Sequence, residues 1–188
     1  MIDSLLAADA AARAWLVTHH TPWLDAVLWS LSALGVGGSI WLAIAAVMAS
    51  WVPRLRPPAW QVALAVLLAQ GVVDWGIKPI IARPRPFISD TTSRVVGYQP
   101  STYSFPSGHS ASSFAAATVF AFALSRRCAA ITWALAALVA FSRVYIGVHY
   151  PLDVVVGALI GVLIGVLVTG GRAWYIGGSS VASHLVPR

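Results

Sequence analysis

The sequence predicts an all-α, multi-pass transmembrane helical bundle of about five spans plus an N-terminal interfacial helix. Three observations carry that prediction. Of 188 residues, 59% are hydrophobic and 10% are charged, whereas an ordinary soluble domain carries about 25% charged residues. The mean hydropathy is +0.79, and the chain has no glutamate and a single lysine, Lys78. Long uncharged runs alternate with short breaks rich in Arg, Pro or Gly. So little polar surface cannot coat a water-facing globule, which excludes a soluble enzyme.

A hydrocarbon core about 30 Å thick takes roughly 20 apolar residues per helix. Residues 1–21 are read as the interfacial helix: Asp9 and Arg13 lie four apart and can pair, and Trp15 suits the headgroup region. Residues 1–20 lack a basic leader and a short apolar core before a small-residue site, so no signal peptide is expected. Residues 22–176 form the membrane domain. Its first run, 26–52, contains Gly35, Gly37 and Gly38. It is either one long tilted helix or a short segment followed by a spanning one. After the Arg54/Arg56/Pro57/Pro58 linker comes a second run, 59–82. The third spans 106–124, the fourth 129–147 and the fifth 151–171.

In the fifth run Gly157, Gly161 and Gly165 make two overlapping G-x-x-x-G steps, which let a neighbouring helix approach closely within the bundle. Trp23, Trp51, Trp60 and Trp174 sit near run ends as interfacial anchors. The tail, 177–188, ends in Leu185-Val186-Pro187-Arg188, which reads as the remnant of an engineered protease site and stands outside the fold. The single cysteine, Cys128, cannot form an internal disulfide and has no nearby partners for a metal site.

The formal net charge is +6, yet the pattern is not that of a nucleic-acid binder. Basic residues cap apolar runs or share one loop, with no stripe or basic helix. With five alternating spans, Arg54, Arg56, Arg126, Arg127 and Arg172 fall on one side. The positive-inside rule makes that side cytoplasmic, with the C-terminus, and places the N-terminus outside. The longest loop, 83–105, lies opposite and still holds Arg83, Arg85 and Arg94. Those charges run against the rule, so a functional role is expected for them.

Ionisable groups within or at the mouths of membrane helices are costly and mark functional sites. Four clusters qualify. Gln70, Asp74 and Lys78 follow at i, i+4 and i+8 and share a helix face. Arg83-Pro84-Arg85-Pro86 comes next, then Pro106-Ser107-Gly108-His109, then Ser142-Arg143 with His149 and Asp153. All open on the same external side in the alternating topology. Each alone also fits a structural role. Lys78 can snorkel beside Asp74, Arg83 and Arg85 can be loop charges, Ser107 is a good N-cap, and Asp153 suits a first helical turn.

Together they describe a phosphate site. Lys78, Arg85 and Arg143 supply fixed positive charge and guanidinium forks. A helix beginning at Ser107-Gly108 offers backbone N–H groups to an anion. Two histidines supply a nucleophile and a proton donor, and Asp153 can accept the N–H of His149, leaving the other ring nitrogen free. No acidic or His/Cys set suits Mg²⁺ or Zn²⁺, so no cofactor and no metal are expected.

These residues resemble the type 2 phosphatidic acid phosphatase superfamily. Its signatures stand here as Lys78 with Arg85-Pro86, Pro106 to His109, and Ser142-Arg143 with His149 and Asp153. The resemblance covers about residues 22–171. It implies that His149 is the nucleophile of a phosphohistidine intermediate, Asp153 its orienter and His109 the general acid. It further implies that Lys78, Arg85, Ser107, Gly108 and Arg143 bind the phosphate. Arg83 and Asp74 fall outside the signatures, Asp74 being a candidate orienter of Lys78. Many membrane members have six spans, and this chain lacks the first.

The implied partner is a lipid phosphate within the bilayer of a bacterial plasma (inner) membrane, met at the external face. Undecaprenyl diphosphate is favoured over phosphatidic acid or phosphatidylglycerol phosphate. A transporter would need broken, repeated helices, and a non-catalytic scaffold would make the motifs accidental; neither fits as well. Oligomeric state has no signature in the sequence.

Overall fold

A computed structural model of the chain describes residues 1–91 and 94–170. The tail predicted at 177–188, with Arg172 and Trp174, lies outside the described residues. Among the described residues every regular element is helical. The main helices are α1 (Ile2–Val17), α2 (Pro22–Leu34), α3 (Ser39–Trp51) and α4 (Arg56–Gln70). After short α5 (Lys78–Ile81) and α6 (Pro86–Ser89) come α7 (Gly108–Ala123), α8 (Arg126–Tyr145) and α9 (Pro151–Thr169).

The first apolar run takes the broken form. Helices α2 and α3 are bent by 53° about Gly37 and Gly38, whose φ angles of +59° and +76° lie in the left-handed region that glycine tolerates best. Side-chain space is also lacking there, since a Cβ on Gly38 would sit 2.4 Å from Val66 Cγ1.

The second run changes its winding instead of breaking. Between α4 and α5, Gly71–Ile77 forms a π-helical stretch. Pro79 explains it: the ring lacks an N–H and clashes with the carbonyl four residues earlier, so the chain widens its turn just before the proline. Ala82, at φ +48°, then ends α5 and turns the chain into Arg83-Pro84-Arg85-Pro86.

Helix α7 lies at the centre. Its 16 residues, twelve of them buried, reach about 24 Å at 1.5 Å per residue, less than the roughly 30 Å of a hydrocarbon core. Its composition explains the position: Gly, Ala and Ser dominate the sequence GHSASSFAAATVFAFA, so neighbours can approach on every side. The helical runs Pro53–Ser89, Arg126–Tyr145 and Pro151–Thr169 are long and apolar enough to cross a membrane, and the bent α2–α3 pair qualifies as a fourth.

Helix α9 is the principal partner of α7, and the glycine steps make the contact possible. A Cβ on Gly157 would lie 2.5 Å from the Ser107 carbonyl oxygen, one on Gly161 2.2 Å from that of Ala111, and one on Gly165 2.8 Å from that of Ala115. The G-x-x-x-G steps therefore pack within the bundle, as the sequence predicts.

Helix α1 has inverted polarity. Asp9 and Arg13 are buried while Ile2, Leu5, Leu6 and Trp15 are exposed. The expected Asp9–Arg13 pairing is replaced as the main feature by longer reaches: Asp9 bonds to Arg83, and Arg13 lies 3.5 Å from Asp90. Trp15, Trp23, Trp51 and Trp60 are exposed, as anchors should be, but Trp41 is buried and donates its indole N–H to Ser113 Oγ at 2.8 Å.

Gly161→Val places methyl groups where the Ala111 carbonyl stands, and backbone cannot yield as a side chain can. Overpacking of this kind costs about 1–3 kcal/mol, so the thermal unfolding midpoint of the detergent-solubilised protein should fall. A wild-type midpoint would mean that α9 does not lie against α7 at this residue.

Candidate active site

Four helix ends meet at one end of the bundle: the close of the α4–α5 rod, the start of α7, the close of α8 and the start of α9. Between them lies a cavity of about 540 Å³, lined by Gln70, Asp74, Lys78, Arg85, Gly108, His109, Arg143 and His149 among others. All four sequence clusters contribute. Gln70, Asp74 and Lys78 do share a face towards this space, and Lys78 Nζ donates to Asp74 Oδ1 at 2.6 Å.

Of the predicted residues, Asp153 and Ser107 stand behind the cavity. Ser107 performs the N-cap role, its hydroxyl oxygen accepting from the Ser110 N–H at 3.4 Å. Its own N–H donates to the Asp153 carbonyl at 2.9 Å, which joins the α7 start to the first turn of α9. Gly108 opens α7 onto the cavity, and a Cβ there would lie 2.9 Å from Gln70 Oε1.

His149 is almost fully buried in the short connection between α8 and α9. Its Nδ1 lies 3.3 Å from Asp153 Oδ2, and Nε2 lies 3.2 Å from an Arg85 terminal nitrogen. A carboxylate accepts and a guanidinium only donates, so Nδ1 carries the proton and Nε2 the lone pair. Burial, first, and then the charges of Arg85, Arg143 and Lys78 hold the imidazole well below the usual histidine range. The ring is therefore neutral at neutral pH.

The two arginines differ in what they have left to give. Arg85 donates to the Thr102 carbonyl at 2.6 Å, Thr102 Oγ1 at 3.0 Å, the Tyr103 carbonyl at 3.3 Å and the Val148 carbonyl at 2.9 Å. With His149 Nε2 these use all five of its N–H groups. An anion can gain a bond from Arg85 most directly by taking the hydrogen now shared with His149, which would expose the Nε2 lone pair. Arg143 donates to Ser32 Oγ, while its buried Nε has no hydrogen-bond partner among the described residues. That orphaned donor is suited to a phosphate oxygen.

His109 Nε2 lies 3.2 Å from the Ser32 carbonyl. A carbonyl only accepts, so Nε2 holds a proton and Nδ1 is the nitrogen left for exchange. Among the described residues no three His, Cys, Asp or Glu side chains gather into a metal-binding group.

The contacts of three further polar residues become visible only in the folded chain. Arg83 donates to Asp153 Oδ1 at 2.7 Å and to Asp9 Oδ2 at 2.8 Å, and its guanidinium carbon stands 3.9 Å over the Tyr150 ring. The sequence marked Arg83 as a loop charge that runs against the positive-inside rule but gave no sign of these partners. Ser32 was hidden as a polar residue in an apolar run. Arg94, expected to serve function, instead donates to Asp25 at 2.7 Å, an acid that also accepts from the Tyr145 hydroxyl at 2.8 Å. Its charge is accounted for by folding.

A family model described as the PAP2 superfamily matches residues 58–175. The chain is 36% identical over 128 residues to a decaprenylphosphoryl-5-phosphoribose phosphatase of Mycolicibacterium smegmatis, covering 68% of each protein. It is 35% identical over 108 residues to a putative undecaprenyl-diphosphatase of Escherichia coli, covering 52% of this chain and 48% of the relative; it thus spans about half that relative's length. The crystal structure of a transmembrane PAP2-type phosphatidylglycerolphosphate phosphatase from Bacillus subtilis superposes with a TM-score of 0.70 at 28% identity. That match covers 89% of this chain and 86% of the other.

A neutral, buried His149 makes pH dependence a direct check. The ordinary histidine value is about 6.5. Because the folded value is lower, the unfolded chain binds more protons below that pH, and stability should decline as pH falls through it. Arg85→Gln removes a nearby positive charge and should raise the His149 value. Histidine NMR titration in detergent measures both, and an unshifted His149 in Arg85→Gln would contradict the assigned contact.

Proposed function

This chain belongs to the PAP2 superfamily and is a membrane lipid phosphatase of that family, and we propose that it cleaves phosphate from a polyprenyl-linked phosphate or diphosphate through a phosphohistidine on His149. The single observation behind this reading is the cavity that gathers Lys78, Arg85, Arg143 and two histidines at the N-terminus of α7. Phosphoryl transfer asks chiefly for positioning and for stabilised charge on the equatorial oxygens. Arg143, Lys78 and the α7 N–H groups provide the charge, and Ser107 supports them by capping that helix.

In the proposed reaction His149 Nε2 attacks phosphorus as its hydrogen bond from Arg85 passes to a phosphate oxygen. The P–O bond to the lipid breaks, and His109 protonates the departing oxygen. A water then attacks the phosphohistidine while His109 takes its proton, which releases inorganic phosphate and restores both rings. Asp153 holds the His149 Nδ1 proton throughout. Fixed cations neutralise the charge, so turnover should persist in EDTA.

The proposed setting is a bacterial inner membrane crossed five times, by the bent α2–α3 pair, the α4–α5 rod, α7, α8 and α9. The cavity then faces outside and Arg54, Arg56, Arg126 and Arg127 face the cytoplasm. Undecaprenyl diphosphate remains the first substrate, supported by the outward site and by what the Escherichia coli relative is named for. A second reading, a polyprenyl-linked sugar phosphate, is favoured by one feature: Asp74 and Gln70 line the cavity, and an acid beside an amide suits hydroxyls better than a second phosphate.

Phosphate release in EDTA should be compared across undecaprenyl diphosphate, decaprenylphosphoryl-5-phosphoribose and phosphatidylglycerol phosphate. A preference of at least about tenfold, or 1.4 kcal/mol, for a polyprenyl substrate supports the proposal; a glycerolipid preference overturns the substrate class. His149→Ala should abolish release, and substantial residual activity would remove its assignment as nucleophile.

A further inference from the structure

We propose that Arg83 and Asp9 are positioning residues for the reaction, forming a relay from the first helix through Asp153 to His149. The proposal rests on the reading of His149 and Asp153 as the reacting pair. It goes beyond that reading by bringing the N-terminal helix into the site.

The relay is continuous. Asp9 on α1 is buried to 5% exposure and Asp153 on α9 to 0%. Arg83 lies between them, with one terminal nitrogen on Asp153 Oδ1 at 2.7 Å and the other on Asp9 Oδ2 at 2.8 Å. Asp153 turns its second oxygen to His149 Nδ1 at 3.3 Å and to the Tyr150 N–H at 2.9 Å. Asp9 likewise uses its second oxygen, on the Leu152 N–H at 2.8 Å. Each carboxylate thus grips Arg83 with one oxygen and the start of α9 with the other.

The chemistry requires something in this position. Asp153 can steer the His149 proton only while it is ionised and held in one orientation. Buried away from water, a carboxylate favours its neutral form unless a charge compensates it. Lys78, Arg85 and Arg143 surround His149 on the cavity side, and Arg83 alone among the named cations is bonded to Asp153. A planar fork suits two acids at once in a way that a lysine ammonium does not. Asp9 then fixes the fork, since an arginine held at one end would be free to turn towards the cavity.

The test uses the full-length protein in detergent. Arg83→Gln should lower kcat by roughly 10–100-fold, the range found for partners that orient metal-ligating histidines, with KM changed less than about threefold. Loss of the cation leaves the His149–Asp153 pair with a higher proton affinity. The acid limb of kcat/KM and the His149 NMR titration should therefore both move to higher pH. Arg83→Lys should restore the titration while recovering only part of kcat.

Asp9→Asn should lower kcat by itself but add nothing in the Arg83→Gln background, because both act through one guanidinium. Wild-type kcat with unmoved titration in Arg83→Gln overturns the proposal, as does full additivity of the two substitutions. If Arg83→Gln fails to fold, Arg83→Lys and Asp9→Asn decide by the same readouts, and wild-type values for both would overturn it. Should the wild-type protein hydrolyse none of the substrates above, the proposed function falls, while the His149 titration still tests the relay.

Discussion

The close approach of α9 to α7 sets the distance on which the site depends. One of the two cavity histidines lies in the first turn of α7, and the other stands just before the N-cap of α9. They share a cavity because Gly157, Gly161 and Gly165 let the α7 backbone lie where side chains would otherwise stand. At the top of that seam the Ser107 N–H meets the Asp153 carbonyl, so the cap of one helix is bonded to the first turn of the other. A membrane offers little hydrophobic drive for helix association, and small residues that allow dense van der Waals contact take its place. The chemistry at the end of the seam inherits the rigidity of its middle.

A second constraint is charge. Lys78, Arg85 and Arg143 are all buried or nearly so, yet each is held differently. Lys78 is paired with Asp74, and Arg85 is surrounded by oxygens of Thr102, Tyr103 and Val148. Arg143 keeps a donor, its Nε, without a partner among the described residues. The set spans a range from saturated to unsatisfied, and the least satisfied member is the one best able to reward an incoming anion. Arg85 differs in being bonded to His149, so in the proposed reaction the binding of an anion and the release of the ring nitrogen are linked.

What the sequence made legible was local or carried by fixed spacing. Apolar runs marked the helices, the glycine steps marked the α7–α9 seam, and six of the eleven motif positions line the cavity. The bend at Gly37 and Gly38 stood as one of two alternatives. The rest depended on pairings across long stretches of chain. Asp9 and Arg83 are 74 residues apart, and an acid in an apolar helix next to a possible i+4 partner gives no sign that it looks elsewhere. The π-helical winding at Gly71–Ile77 was hidden because Gln70, Asp74 and Lys78 can share a face either way. Hydropathy marked α7 as a span but not its place in the bundle, which follows from small residues that let neighbours enclose it. Arg94 misled because an exposed cation beyond the expected side signals a site only until its acid is found.

The inverted polarity of α1 has a consequence for the order in which the protein is assembled. Asp9 is synthesised well before Arg83 and Leu152, the groups that satisfy it. An unpaired acid at the bilayer centre costs about 2.5–3.5 kcal/mol on insertion scales, so the nascent helix is best held at the water boundary. Its charged face is satisfied only with the start of α9 beside it, because the Leu152 N–H supplies one of the two bonds to Asp9. The seat of α1 is therefore built by groups that come later in the chain, Arg83 and the Leu152 N–H, so this helix takes its buried polar face from the rest of the bundle instead of bringing an apolar one of its own.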